Sequence, residues 1–119
     1  MKTIQLGRRG EQEAALYVNR LGYQVVERNF RTRRGEIDLI AREGDTLVFI
    51  EVKTWRTLPS EEVQYSICGE KQRRIIEAAK VFLSKHPEYD ASPVRFDVIF
   101  IPGEQDRIEH WKNAFYEER

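Results

Sequence analysis

The sequence predicts an α/β fold, one mixed sheet of about five strands flanked by helices in the order α-β-β-β-α-β-β. Three observations carry this. Apolar residues recur at helical spacing over 7–21 and again over 70–85. Short runs rich in Val, Ile and Phe, bounded by Gly, Pro and Asp, fill the intervals and the C-terminal third. Helices separated by such strand runs fit a single sheet with helices packed on it. At 119 residues the chain has the size of one domain, and 1–119 is read as one unit.

Taken in order, Ala14, Ala15, Val18 and Leu21 line one side of the first helix, and Gly22 supplies its stop. Residues 23–29 read as a strand and 31–35, Arg-Thr-Arg-Arg-Gly, as a basic turn. Strands over 36–42 and 46–53 flank Gly44-Asp45, a hairpin turn with glycine first. Residues 57–69, with Pro59, Gly69 and two adjacent glutamates, read as a loop with room for a short helical turn. The second helix, 70–85, places Ile75, Ile76, Ala79, Phe82 and Leu83 on one face and ends at His86-Pro87. Residues 94–101, Val-Arg-Phe-Asp-Val-Ile-Phe-Ile, read as a buried strand closed by Pro102-Gly103, and 107–113 as the last strand.

Composition narrows the function classes. No apolar run approaches the roughly 20 residues that span a bilayer, and the N-terminal stretch lacks a signal peptide's apolar segment, so a cytoplasmic protein without membrane contact is expected. The single cysteine, Cys68, excludes an internal disulfide and a cysteine-based zinc site. No P-loop glycine motif is present, so nucleotide hydrolysis is unsupported. His86 and His110 read as surface residues, and Asp97 as a sheet anchor paired with Arg95. Net charge is zero, yet residues 1–86 hold 16 basic and 12 acidic side chains while 87–119 hold 4 and 8. Arg28, Arg31, Arg33 and Arg34 crowd into seven residues. That run is either a solvated loop or a phosphate-facing patch.

The hairpin carries the chemistry. A two-residue turn at Gly44-Asp45 pairs residues whose numbers sum to 89. Ile37 then opposes Val52, Leu39 opposes Ile50 and Ala41 opposes Val48, an apolar face that supports the register. The same register sets Asp38 opposite Glu51 and Glu36 opposite Lys53. Directly opposed Cβ atoms lie about 4.5–5.5 Å apart, where like charges destabilise a sheet unless compensated. A divalent cation compensates two carboxylates, and Lys53 points to the same side. The other reading is a solvent-facing charged strip. Against it, Ile40, Leu47 and Phe49 share that face, and charges near a covered face need partners.

Two helical positions join the candidates. Glu11 precedes Ala14, Ala15 and Val18 by three, four and seven, so it projects from the sheet-facing side. It is either a first-turn residue favoured by the helix dipole or a third carboxylate over Asp38 and Glu51. Lys71 and Gln72 open the second helix, where free N–H groups can hold a phosphate; a solvated basic turn is the alternative.

The string Gly35-Glu36-Ile37-Asp38-Leu39-Ile40 followed by Phe49-Ile50-Glu51-Val52-Lys53-Thr54 resembles the PD-(D/E)XK nuclease signature. More specifically, the chain resembles the YraN family of small bacterial proteins along nearly its whole length. The match includes Gly10-Glu11, Gly22-Tyr23, Arg28-Asn29-Phe30-Arg31, Lys71, Arg74-Ile75, Arg95-Phe96-Asp97-Val98 and Asn113-Ala114-Phe115. It departs from the family's usual pattern at Trp55-Arg56 and Leu58-Pro59-Ser60, in the loop after the motif.

The resemblance implies a restriction-endonuclease-like core, similar to Holliday-junction resolvases. It implies Asp38 and Glu51 as ligands of Mg²⁺ or Mn²⁺, helped by the Val52 carbonyl. Lys53 would orient or activate the attacking water, and Glu11 would match the first-helix glutamate of such nucleases. The expected activity is metal-dependent cleavage or processing of DNA, including branched DNA. Arg28, Arg31, Arg33, Arg34, Lys71, Gln72 and Arg74 are the expected phosphate contacts. A non-catalytic nucleic-acid-binding module or an accessory protein on the same fold is the alternative. Resolvase-like relatives are often homodimers, for which Trp111 or Phe115 would line an interface or else fill the core.

Overall fold

The computed structural model describes residues 3–55, 69–102 and 107–117. Its elements are α1 (Thr3–Arg20), β1 (Gln24–Arg31), β2 (Glu36–Glu43), β3 (Thr46–Trp55), α2 (Gly69–Lys85), a 3₁₀ turn (Pro87–Tyr89), β4 (Val94–Pro102) and β5 (Glu109–Phe115). Element order and type match the expectation. The first helix starts earlier than its apolar spacing suggests. Each strand runs one or two residues further at its C-terminal end, and β5 also starts two residues later. The expected loop over 57–69 and Cys68 fall, Gly69 apart, outside the described residues.

The five strands form one sheet in sequence order, β1 to β5. Only β3 and β4 are parallel, because α2 lies between them in the chain and returns it to the same end; every other pair is antiparallel. Among the described residues, one helix covers each face of the sheet. On one face Ile75, Ile76, Ala79 and Phe82 of α2 pack against Phe30, Ile40, Leu47, Phe49, Val98 and Phe100. On the other Ala14 and Val18 of α1 pack against Leu39, Ala41, Val48, Ile50 and Ile99. The close seat of α1 depends on Gly10, where an added Cβ would collide with Thr54 Cγ2. No described helix is long and apolar enough to cross a membrane.

The hairpin register is as expected from Glu43↔Thr46 to Leu39↔Ile50. Gly44 takes a φ of 58° and Asp45 stays at negative φ, a primed turn that suits the strand twist. Beyond Leu39 the expected pairing breaks. Alternation of hydrogen-bonded pairs would have the Val52 N–H meet the Ile37 carbonyl. It donates instead to Asp38 Oδ2, at 2.8 Å. Ile37 consequently joins Phe30 and α2 rather than sharing a face with Leu39. Glu36 is exposed beside Arg31, 3.4 Å away, and does not face Lys53. Opposite this point on β1, Asn29 adopts a left-handed φ of 55°, while the β1–β2 register stays unbroken from Glu27↔Ile40 to Arg31↔Glu36.

Another strand aspartate also takes a backbone N–H, with a left-handed asparagine on the neighbouring strand. Asp97 on β4 is fully buried, the β4–β5 register shifts beside it, and Asn113 there has a φ of 54°. The Asn113 N–H donates to Asp97 Oδ1 at 2.9 Å, Arg95 binds both carboxylate oxygens, and His110 Nε2 lies 2.7 Å from Oδ2. Burial alone would raise Asp97, but the bonds from His110, Arg95 and Asn113 outweigh it and hold its pKa below the usual carboxylate value. The Asp97–Arg95 anchor read from the sequence is therefore present. The surface reading of His110 is wrong, since its ring is packed against Tyr17 and Tyr23. His86 is also half-buried, stacked on Phe82 with ring centroids 4.0 Å apart. Phe115 belongs to the core, stacked on Phe96, and half-buried Trp111 packs against that core edge-on to Phe100.

Candidate metal and nucleic-acid site

Glu51 follows Phe49 by two residues on β3, so it points to the α2 side, and α2 buries it to 5% exposure. A buried carboxylate needs compensation. Lys71, in the first turn of α2, places Nζ 2.6 Å from Glu51 Oε2, and Lys53 Nζ lies 3.5 Å from the same oxygen. The solvent-facing reading of this strip is thereby excluded for Glu51, and Lys53 does share its face. Burial and the neighbouring Lys71 ammonium hold Lys53 below the ordinary lysine pKa, against the pull of Glu51. Burial works against Lys71 as well, but its bonds to Glu51 and Lys53 carry its pKa above the ordinary value.

Asp38 meets Glu51 across the break in the hairpin. Burial, then the Glu51 charge and a hydrogen bond between the two carboxyl groups, push Asp38 up to about 8, although the Val52 N–H pulls the other way. At neutral pH Asp38 therefore keeps its proton in the metal-free protein, the behaviour of a carboxyl group that shares a site with another.

Glu11 is the ninth residue of an 18-residue helix, so the first-turn reading does not hold. It is half-buried, and its charge adds to the rise at Asp38. Among the described residues no three His, Cys, Asp or Glu side chains converge into a ready ion cage. The donor set present is two carboxylates with Val52 alongside. That suits a hard cation which keeps several waters and binds through one or two carboxylates plus substrate phosphate, the habit of Mg²⁺. It does not suit a softer metal that wants nitrogen or sulfur.

Next to the carboxylates opens a cleft of about 700 Å³, walled by the 31–36 turn and the start of α2. Of the expected phosphate contacts, Arg31, Arg33, Arg34, Lys71 and Arg74 line it. Arg28, exposed on β1, and Gln72, half-buried on α2, do not. Thr32 shapes the turn: its hydroxyl accepts from the N–H groups of Arg34 and Gly35 at 3.0 and 3.1 Å. Three of the arginines hold nearby carboxylates, Arg31 with Glu36, Arg34 with Glu77 and Arg74 with Glu70. Arg33 is exposed and pairs with no carboxylate among the described residues.

Gly35 brings the two walls together. An added Cβ there would collide with the Arg74 carbonyl oxygen, which is backbone and cannot swing aside. Gly35→Ala is expected to push the arginine turn off α2 and to destabilise the chain by about 1–3 kcal/mol. Chemical denaturation measures the effect, and an unchanged midpoint would contradict the close approach.

The Lys71–Glu51 ion pair has no signal in the sequence, because it joins two elements through tertiary packing. The model of the uncharacterised protein family UPF0102 matches residues 10–101. A UPF0102 protein of Geobacter sulfurreducens is 48% identical over 113 residues, covering 92% of this chain and 88% of its own. One from Rhodococcus jostii is 47% identical over 119 residues, covering 94% and 97%. Another, from Alcanivorax borkumensis, is 46% identical over 116 residues, covering 94% and 92%. A match of this extent, over both walls of the cleft and both carboxylate strands, means that this chain belongs to the UPF0102 family, the YraN-like proteins.

Proposed function

We propose that this protein is a divalent-metal-dependent nuclease acting on DNA. The observation that carries the reading is the meeting of Asp38 and Glu51 across a broken hairpin, with Lys53 beside them and with Lys71 joining Glu51 to an arginine-lined cleft. Asp38, Glu51 and the Val52 carbonyl would hold Mg²⁺ or Mn²⁺. When bound, such an ion polarises a phosphate oxygen and lowers the pKa of a coordinated water. Lys53, held below its ordinary pKa, would orient that water or take up negative charge developing at phosphorus. Arg31, Arg33, Arg34 and Arg74 would position the phosphate backbone without reading sequence. Glu11 approaches the same site from α1. A cytoplasmic setting goes with this reading, as does the option of a homodimer presenting two such sites to a branched substrate.

One observation favours a second reading, a nucleic-acid-binding module without turnover. Glu51 is already neutralised by Lys71 at 2.6 Å, an ion pair that stands without metal. Incubating the pure protein with duplex, single-stranded and branched DNA plus Mg²⁺ or Mn²⁺ separates the two. Metal-dependent cleavage of any member supports the nuclease; binding without cleavage supports the module.

Either reading expects salt-sensitive DNA association despite zero net charge. Every phosphate that a basic side chain neutralises releases counterions, so affinity should fall steeply between low and moderate salt. The double variant R33A/R34A should bind more weakly and show a shallower salt slope while melting at nearly the wild-type temperature. Fluorescence anisotropy across a salt series checks this, and equal affinity at both ends of the series would refute it.

A further inference from the structure

Lys71 belongs to two places at once. Its ammonium holds Glu51 Oε2 at 2.6 Å, and its side chain, 40% exposed, forms part of the cleft wall with Arg31, Arg33, Arg34 and Arg74. In the metal-free state the buried Glu51 charge is met by two ammonium groups, Lys53 and Lys71. An arriving dication would face both ammonium groups at close range, gathered on the one oxygen Oε2. Lys53 is the less able to leave, being 24% exposed against 40% for Lys71. Among the cleft cations Arg33 pairs with no carboxylate of the described residues, Arg31, Arg34 and Arg74 hold exposed or half-exposed ones, and Lys71 alone holds the buried Glu51, so only its turn toward a phosphate would free a metal-site carboxylate.

We propose that Lys71 is an exchangeable latch: it closes Glu51 when the site is empty and swings to a backbone phosphate when nucleic acid enters, so that nucleic acid and metal bind cooperatively. This rests on the nuclease reading above and adds its regulation. Either ligand moves Lys71 off Glu51, and the second then binds without that cost. The coupling is reciprocal, as linkage requires. Its use is plain: free metal is held loosely until a phosphate backbone is in place.

The test counts bound Mn²⁺ by its electron paramagnetic resonance signal, with and without a phosphorothioate-linked DNA duplex, which resists hydrolysis. Wild-type protein is expected to bind Mn²⁺ at least about fivefold more tightly with the duplex than without, the lower range of ordinary coupling. Lys71→Met removes the latch. Its Mn²⁺ affinity without DNA should rise, and the gain from DNA should shrink toward onefold. Lys71→Arg keeps a cation that can pair with Glu51, so it should restore the coupling and controls for folding. Coupling of wild-type size in Lys71→Met would mean that phosphate and metal touch directly, and would overturn the latch. Unchanged Mn²⁺ affinity in DNA-free Lys71→Met would reduce Lys71 to a phosphate-binding side chain and would overturn the latch as well. Absence of any Mn²⁺ binding by the wild type would instead defeat the nuclease reading itself.

Discussion

Asp38→Asn is expected to make the metal-free protein more stable at pH 8, by roughly 2–5 kcal/mol. In the unfolded chain an aspartate ionises near pH 3.9. In the folded chain Asp38 holds its proton up to about pH 8, because it is buried beside Glu51. Between those values the native state binds a proton that the unfolded state has lost, so stability falls as pH rises. The favourable contribution is complete below about pH 4 and is lost as pH passes 8. Asparagine carries no charge at any pH, and its side-chain oxygen can still accept from the Val52 N–H. The variant should lack the downward slope, so the gap should be small near pH 4 and widest above 8. Urea unfolding at several pH values reads it directly. Parallel profiles for the two proteins would show that Asp38 ionises as freely as an exposed aspartate.

Glu51→Gln should lower any cleavage rate by roughly a thousandfold, the loss that follows removal of a main electrostatic contact to the reacting group. The exchange keeps volume and hydrogen-bonding capacity and removes one ligand charge. Asp38→Asn should do the same from the facing strand, and Lys53→Ala should lower the rate while leaving metal affinity nearly intact, since an ammonium is no ligand. The losses should not add, because the three groups would act as one unit. DNA binding without metal should be equal or stronger in Glu51→Gln, where a charge that repels phosphate is gone. Full additivity, or cleavage indifferent to Glu51, would move the chemistry elsewhere on the molecule.

The architecture is legible in the sequence because its signals are local. Two amphipathic stretches, a glycine-first hairpin and an apolar run between prolines determine type and order, and the two-residue turn sets the register to Leu39↔Ile50. The same arithmetic carried past Leu39 puts Ile37 on the wrong face. Alternation assumes a regular strand, and nothing in residues 36–42 marks where the pairing with β3 ends; the left-handed Asn29 opposite that point lies on another strand. The burial of Glu51 is foreshadowed by the apolar residues sharing its face, but its principal partner Lys71 comes from a helix. His110 escapes a sequence reading for a similar reason, since Tyr17, Tyr23 and Asp97 converge on it from three other parts of the chain. Such meetings are the product of tertiary packing, and helical or strand periodicity does not encode them.

The nuclease reading depends on Asp38 and Glu51 acting together as a cation site. Calorimetric titration of the purified chain with Mn²⁺ in the absence of DNA tests this most directly. Saturable binding of one ion per site, raising the melting temperature as RT ln(1 + [Mn²⁺]/Kd) and lost in Glu51→Gln, is the predicted result. A flat titration, or one that Glu51→Gln leaves untouched, would contradict it.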